Sequence, residues 1–221
     1  DEIRQPDFTI ETGEIKDSEV AMATMLVETL AGDFDASEFE DDYAGAVDAV
    51  VKAKIEGGEI KRTPTSTKTG GEELNADRTS NGMFFRRGEN DTVARIEARI
   101  ARLLRWPLEN GEGVQVLHYR PGAEYKPHYD YFDPTEPGTA NITKRGGQRV
   151  ATLVMYLNEP TRGGGTTFPD VSLEVAPKRG NAVFFSYERP HPSTRTLHGG
   201  APVLAGEKWI ATKWLRERHF A

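Results

Sequence analysis

The chain has 221 residues, with 28 Lys and Arg against 35 Asp and Glu, which gives a formal net charge of −7 at pH 7. It contains no cysteine, which excludes disulfides, thiolate-bound clusters and cysteine nucleophiles, so any metal site must use histidine and carboxylate ligands. The acidic balance argues against sequence-independent binding to nucleic acid, which depends on a basic surface.

Three amphipathic segments predict helices in the first half of the chain. The first covers about 17–30 and the second about 37–55. The third is the clearest, because Asn90 and Asp91 precede an apolar stripe at helical spacing and Pro107 ends it. The stripe of this third helix consists of Val93, Ile96, Ile100, Leu103 and Leu104.

The segment 61–85 is rich in Thr, Ser, Gly and Lys without sustained periodicity, which predicts a functional lid or a disordered connection. From Gly113 onward, short apolar runs alternate with Gly and Pro turns, which predicts the strands of a barrel or sandwich. These runs are 114–120, 149–157, 171–176, 181–186 and 209–215. We therefore predict one domain over 1–221, with helical support and the lid in 1–107 and a β core in 113–217.

Two histidines and one aspartate are the candidate metal ligands. His128 and Asp130 are two residues apart, and alternate side chains of a strand emerge on the same face. His198, at the approach to the last predicted strand, would complete the two-histidine, one-carboxylate set of non-haem Fe(II) oxygenases. Zinc accepts the same ligands, so the ligand set alone leaves the metal open.

Lys208 is the candidate anion anchor. It starts a predicted strand ten residues after His198, where an inward ammonium is costly unless it meets an anion. One interpretation is that Lys208 holds the distal carboxylate of a small diacid whose other end chelates the metal. The alternative is an ordinary lysine whose ammonium reaches solvent.

Five stretches of the second half, in order and with family-like spacing, carry a resemblance: QVLHY with YKPHYD (115–130), GQRVAT (147–152), GGGTTFP (163–169), HGGAPV (198–203) and GEKW with KW (206–214). Over about 78–217 the chain resembles the prolyl 4-hydroxylase family of Fe(II)/2-oxoglutarate dioxygenases. The resemblance implies an α+β fold, in which a double-stranded β-helix (jelly roll) core is buttressed by N-terminal helices.

The same resemblance implies a set of site residues and cofactors. Fe(II) would be held by the catalytic ligands His128, Asp130 and His198, with 2-oxoglutarate and O2 as cosubstrates and ascorbate as reductant. The 2-oxoglutarate pocket would contain Tyr119, Thr166, Lys208 and Trp214. The peptide substrate would be contacted by Arg149, and by Arg78 and Ser80 on a mobile loop, with 133–147 as a second loop.

Several of these residues have a plainer interpretation. Without the resemblance, Tyr119 and Trp214 are typical core aromatics, Thr166 is an ordinary strand residue, and Arg149 belongs to a structural ion pair. His118 is adjacent to Tyr119 in a predicted strand, so it points to the opposite face and we interpret it as structural.

The leading hypothesis is hydroxylation of prolyl residues in a peptide or protein, with release of succinate and CO2. Three alternatives stay open: an oxygenase acting on a free amino acid or another protein side chain, a non-catalytic jelly-roll binding module, and a zinc hydrolase in which Lys208 would have no role. We expect no nucleic-acid partner and, since no run of about 18 apolar residues occurs, no membrane partner.

Identity of the target, oligomeric state and compartment stay open at this stage. The chain starts at Asp1 with no visible leader, which we interpret as a trimmed N-terminus. A cytoplasmic location is favoured if the source is bacterial.

Overall fold

The structure, a computed structural model, describes residues 61–66, 72–74 and 76–221. The helices predicted over 17–30 and 37–55 lie outside the described residues. The described strands are β1 (Lys61–Arg62), β2 (Thr65–Ser66), β3 (Glu72–Glu73), β4 (Asn81–Phe84), β5 (Gln115–Tyr119), β6 (Tyr125–His128), β7 (Arg149–Tyr156), β8 (Arg162–Gly163), β9 (Thr166–Phe168), β10 (Leu173–Val175), β11 (Ala182–Ser186), β12 (His198–Gly200), β13 (Val203–Ala205) and β14 (Lys208–Arg216). The helices are α1 (Asp91–Leu104) and α2 (Thr139–Ile142).

Two antiparallel sheets form the body of the described part. The large sheet has the order β1-β4-β5-β14-β7-β11, and the small sheet has the order β10-β9-β12-β6. The main core cluster combines Leu117 and Val154 of the large sheet with Phe168 and Val175 of the small one, so the core fills the space between the sheets. This is a mostly β, jelly-roll type of architecture.

The central strand β14 shows why both faces of the large sheet are covered. Ile210 lies in the core between the sheets, whereas the next residue, Ala211, lies in a second cluster on the outer face. Alternation along the strand therefore sends Lys208 and Trp214 inward with Ile210, and Lys213 outward.

Helix α1 packs on that outer face. It begins where the Asn90 side chain accepts a hydrogen bond from the Val93 N–H at 3.0 Å, and Val93 joins the outer cluster of buried apolar residues. Glu97 on the same face forms a buried ion pair with Lys213 of β14. Loss of one partner from such a pair costs about 3–5 kcal/mol, so Glu97 fixes the helix to the sheet.

The structure confirms the third predicted helix and the five predicted strand runs, with shorter bounds for the first four runs and one more residue at each end of the last. It also contains no helix, in the part of the chain it describes, that is long and apolar enough to cross a bilayer. The prediction of an unstructured segment over 61–85 is wrong for the described portion, because β4 pairs with both β1 and β5 at the edge of the large sheet. Strands of two to four residues are too short to show a period of two.

Candidate metal centre and anion pocket

The pairing of β6 with β12 brings the two predicted histidine ligands together. His128 and His198 are direct partners in this antiparallel pair, and their ring centroids are 4.4 Å apart. Strand β6 ends at His128, so Asp130 lies in a bend beyond it and not on the strand as predicted. One ligand atom from each of the three residues nevertheless lies within 4.8 Å of the others.

Hydrogen bonds to the backbone fix the tautomers of both histidines. His128 Nδ1 lies 2.8 Å from the Lys126 carbonyl oxygen, and His198 Nδ1 lies 2.9 Å from that of Thr196. A carbonyl oxygen only accepts, so each Nδ1 carries the hydrogen and each Nε2 offers a lone pair. Burial also lowers the pKa of His198 to about 4, which keeps its ring neutral near pH 7.

Both Nε2 lone pairs face the carboxylate of Asp130. His128 Nε2 is 3.5 Å from Oδ1, and His198 Nε2 is 3.5 Å from Oδ2. Burial by itself would raise the pKa of Asp130, but the positive charge that the His198 and His128 rings carry once protonated, together with the Arg149 guanidinium, outweighs it and holds the pKa well below its usual range.

The buried Asp130 carboxylate thus faces two nitrogen lone pairs, and none of these groups has a hydrogen with which to form a hydrogen bond. A divalent cation among these three ligands satisfies all of them at once, so the donor set fits a metal ion. No second group of three such ligands occurs among the residues that the structure describes.

Lys208 lies in the same interior and fits an anion. Its side chain is 1% exposed, and its Nζ donates one hydrogen bond, to the Gly164 carbonyl oxygen at 2.7 Å. Nζ is 4.6 Å from the centroid of the Tyr119 ring and 3.4 Å from where a Cβ on Gly200, two residues after His198, would lie. An ammonium has three donors, so the anchor interpretation agrees with the geometry and a solvent-reaching side chain does not.

A tyrosine that the sequence analysis did not single out joins the predicted cosubstrate residues. The Tyr156 hydroxyl donates to Thr166 Oγ1 at 2.7 Å, and the ring is 1% exposed. Thr152, Val154 and Tyr156 are every second residue of β7 and therefore share its inward face. This spacing is the sequence signal that indicates Tyr156.

Trp214 lies on the inward face of β14 and is 7% exposed, and its contact with the cosubstrate stays a prediction. The Arg149 guanidinium carbon is 4.0 Å from the centroid of its ring. Its indole Nε1 is buried and has no hydrogen-bond partner in the described residues, and a buried N–H without an acceptor is rare in native proteins.

Arg149 forms the ion pair that its plainer interpretation anticipated. Its Nε and Nη2 donate to the Glu112 carboxylate at 2.7 and 3.0 Å, and Glu112 also accepts from Arg216 Nη1 at 3.0 Å. The side chain of Arg149 keeps 17% of its exposure. Contact between Arg149 and a peptide stays a prediction.

Arg78 and Ser80 lie in the interior, where a mobile surface loop was expected. Arg78 is 6% exposed and donates to Ser80 Oγ at 3.2 Å and to Gln115 Oε1 at 3.0 Å, while Ser80 is 0% exposed. An isolated bridge between Arg78 and Tyr125 ties this stretch to β6. Their contact with substrate also stays a prediction.

His118 has the structural role expected of it. On the outer face of the large sheet its ring stacks on Trp209 at 4.0 Å between centroids, and its Nε2 lies 2.9 Å from Glu207 Oε2.

Comparisons with known proteins agree with this geometry. Residues 114–216 match the family model described as the 2OG-Fe(II) oxygenase superfamily. Prolyl 4-hydroxylase 5 of Arabidopsis thaliana is 42% identical over 183 residues, which cover 73% of this chain and 61% of that protein. The chain therefore spans less than two thirds of the length of this curated relative.

Solved structures show the same relationship. The viral collagen prolyl hydroxylase of Paramecium Bursaria Chlorella virus-1, solved as a 2OG complex, is 31% identical with a TM-score of 0.59, over 78% of this chain and 90% of that one. A prolyl hydroxylase of Trichoplax adhaerens, solved with a hypoxia inducible factor peptide fragment, has a TM-score of 0.58 at 17% identity, over 79% of this chain and 78% of that one. The second likeness shows the fold alone.

Proposed function

The chain belongs to the prolyl 4-hydroxylase family of Fe(II)/2-oxoglutarate oxygenases, and we propose that it hydroxylates prolyl residues in peptides or proteins with release of succinate and CO2. The observation that carries the proposal is the presence, in one interior, of the His128–Asp130–His198 group and the buried ammonium of Lys208. The first fits a divalent metal and the second fits the far end of a dianionic cosubstrate.

His128, Asp130 and His198 would hold the iron, and each is prepared for it by its own hydrogen bonds. When bound, the iron supplies, with 2-oxoglutarate and O2, the oxidising chemistry that inserts one oxygen atom into a C–H bond. The chain contributes the ligand orientation, since the backbone carbonyls of Lys126 and Thr196 keep both Nε2 atoms aimed at one point. It also contributes a buried site that excludes water.

Lys208, Thr166 and Tyr156 would bind the distal carboxylate of 2-oxoglutarate. The ammonium supplies the charge, and the linked hydroxyls of Tyr156 and Thr166 supply further hydrogen bonds. Gly164 leaves room for this arrangement, because a Cβ there would lie 3.3 Å from Lys208 Cδ. Tyr119 would form the opposite wall beside Nζ.

Affinity for 2-oxoglutarate is expected to fall above about pH 8. Burial lowers the pKa of Lys208 to about 8, and the cosubstrate requires the charged form, so the dissociation constant should rise about tenfold per pH unit above that value and stay flat below it. Titration of the Mn(II)-loaded protein with 2-oxoglutarate from about pH 7 to about pH 9 measures this profile. A flat profile across the range would contradict the anchor role.

The same pKa has a consequence for stability. The folded-state pKa of Lys208 lies below its ordinary value of 10.5, so the folded state binds fewer protons than the unfolded state between the two values. The cost of burying the ammonium is therefore fully present below about pH 8 and fades as the pH rises toward 10.5.

A peptide substrate would dock beside Trp214. Phe84 is 53% exposed and its ring centroid lies 6.3 Å from that of Trp214, so an aromatic surface reaches from the pocket to solvent. An extended polyproline II peptide could pack its proline rings against such an aromatic surface while its backbone carbonyls stay free for hydrogen bonds. The exposed part of Arg149 borders the same ring.

Incubation with Fe(II), 2-oxoglutarate, ascorbate and a panel of proline-rich and collagen-like peptides tests the proposal. We expect mass gains of one oxygen atom, located on proline, with one succinate formed per hydroxylation. Matched peptides with alanine in place of proline serve as controls. Oxidation of a free amino acid or of a side chain other than proline, with the proline peptides untouched, would contradict the proposed substrate.

We also propose that the chain forms one domain, in which the helices predicted before residue 56 support the outer face of the large sheet beside α1. Met155, Leu157 and Trp209 on that face are only partly buried, which favours additional apolar cover. Deletion of residues 1–60 should then lower the unfolding temperature. An unchanged unfolding temperature would contradict this arrangement.

A further inference from the structure

We propose that Thr152 and Tyr187 are positioning residues that orient the Asp130 carboxylate for metal binding. The proposal rests on the proposed function only in assigning Asp130 as a metal ligand. It concerns two residues outside the ligand set and outside the predicted cosubstrate and peptide contacts.

The three side chains form one chain of hydrogen bonds with a fixed direction. Thr152 Oγ1 donates to Asp130 Oδ2 at 2.7 Å, and the Tyr187 hydroxyl lies 3.0 Å from the same Thr152 oxygen. A threonine hydroxyl has one hydrogen and an ionised carboxylate has none to offer. Thr152 therefore gives its hydrogen to Asp130, and Tyr187 must donate to Thr152.

The chain is dry and closely packed. Thr152 is 0% exposed, Tyr187 is 2% exposed and Asp130 is 7% exposed. Hydrogen bonds in such surroundings are stronger than in water, and successive donors polarise one another. The loss of one member also leaves a buried polar atom unpaired, which is costly.

The fold explains why Asp130 needs this support. Asp130 lies in a bend beyond the end of β6, whereas Thr152 lies within β7, paired with Phe185 of β11 and Trp214 of β14. The Tyr187 N–H continues the ladder by donating to the Val150 carbonyl oxygen at 2.9 Å. A ligand outside the sheets is thus held by the Thr152 hydroxyl of β7, which the Tyr187 hydroxyl, just after the end of β11, supports in turn.

The position of the hydrogen bond has a consequence for coordination. Thr152 occupies Oδ2, while Oδ1 faces His128 Nε2 at 3.5 Å. Oδ2 also lies 3.5 Å from His198 Nε2, so each carboxylate oxygen faces one histidine nitrogen. The hydrogen bond from Thr152 to Oδ2 fixes the plane of the carboxylate and favours Oδ1, which accepts no such bond from Thr152, as the oxygen that would bind the metal. A two-histidine, one-carboxylate ligand set held in this way would leave positions on the metal for cosubstrate and O2.

Metal affinity of hydroxyl-deletion variants tests the proposal without any turnover. Free Mn(II) is measured by electron paramagnetic resonance during titration of the apoprotein without 2-oxoglutarate. We expect Thr152→Val to weaken Mn(II) binding about 10- to 100-fold, the usual effect of removing a partner of a metal ligand. Thr152→Ser, which keeps the hydroxyl, should stay within about threefold of the wild type.

Tyr187 has its own test. Tyr187→Phe should weaken Mn(II) binding by about three- to tenfold, because Thr152 can still donate but loses its own donor. The double variant Thr152→Val/Tyr187→Phe should bind no worse than Thr152→Val alone, since Tyr187 acts only through Thr152. Thermal unfolding of each metal-free variant separates loss of affinity from loss of fold.

Three results would overturn the proposal: wild-type Mn(II) affinity in Thr152→Val, an equal loss in Thr152→Ser and Thr152→Val, or wild-type affinity in Tyr187→Phe. Failure of the proposed function would look different. A wild-type protein that binds Mn(II) with this variant pattern but hydroxylates no proline peptide would contradict the substrate assignment and support the positioning role.

Discussion

Replacement of His128 with alanine is expected to abolish both succinate formation and proline hydroxylation. Among the described residues, His128 supplies one of the two histidine lone pairs that face Asp130, and alanine would leave two of the three proposed ligands. Because a catalytic metal contributes several kcal/mol to the reaction, turnover should fall about 1,000-fold or more. Coupled measurement of succinate and of hydroxylated peptide gives the result.

His191→Ala is the matched control for this variant. His191 is exposed, and its Nδ1 contacts Ser193 at a surface turn, so the substitution should leave turnover and Mn(II) affinity at wild-type levels. Persistent iron-dependent turnover in the His128 variant would contradict the ligand assignment. Loss of turnover with unchanged Mn(II) affinity would show that His128 is not a metal ligand and acts in another way.

The residue types and spacing around the metal centre could be predicted because the chemistry restricts them. A cysteine-free chain with five histidines offers few ways to bind a transition metal, and the spacing of His128 and Asp130 already suggests a shared ion. The strand that was assumed to carry both residues ends at His128, and what places Asp130 is the pairing of β6 with β12 together with Thr152. Such contacts join residues far apart in sequence, and no local pattern records them.

The partners of two arginines also could not be predicted from local sequence. Arg149 and Arg78 could be identified as functional candidates by resemblance, yet their partners Glu112 and Gln115 each lie 37 residues away. A sequence pattern gives no sign of which carboxylate or amide an arginine will meet inside a sheet sandwich. Tyr156 is different, since alternation along β7 places it inward with Val154, and that alternation can be seen in the sequence alone.

The interior holds two charged groups, Asp130 and Lys208, that the described residues do not fully neutralise. The Asp130 carboxylate faces nitrogen lone pairs, and the Lys208 ammonium has one hydrogen bond, to a neutral carbonyl. Buried charges of this kind lower the stability of the folded state unless ligands complete them. A metal cation at Asp130 and a dianionic cosubstrate at Lys208 would neutralise these charges. Removal of either group should therefore weaken binding of its ligand and raise the stability of the apoprotein.

Lys208→Met tests whether cosubstrate affinity and apoprotein stability change in opposite directions. Loss of the ammonium would leave a buried cosubstrate carboxylate without its counter-charge, so the dissociation constant for 2-oxoglutarate should rise about 100-fold or more. Burial lowers the pKa of Lys208 from 10.5 to about 8, which corresponds to a cost on the order of 3 kcal/mol for the charged form near pH 7. The bond to Gly164 offsets part of that cost, so the apoprotein should be no less stable than the wild type and up to about 3 kcal/mol more stable.

Titration of the Mn(II)-loaded variant with 2-oxoglutarate and denaturant unfolding of the metal-free variant measure the two effects. Lys178→Met is the control, because Lys178 is exposed and its replacement should change neither quantity. A Lys208 variant that is clearly destabilised yet binds 2-oxoglutarate as tightly as the wild type would show that the ammonium serves the fold through Gly164. Weaker binding together with undiminished stability is the combination that a buried anion anchor requires, since a residue selected for packing alone would not leave the protein more stable when removed.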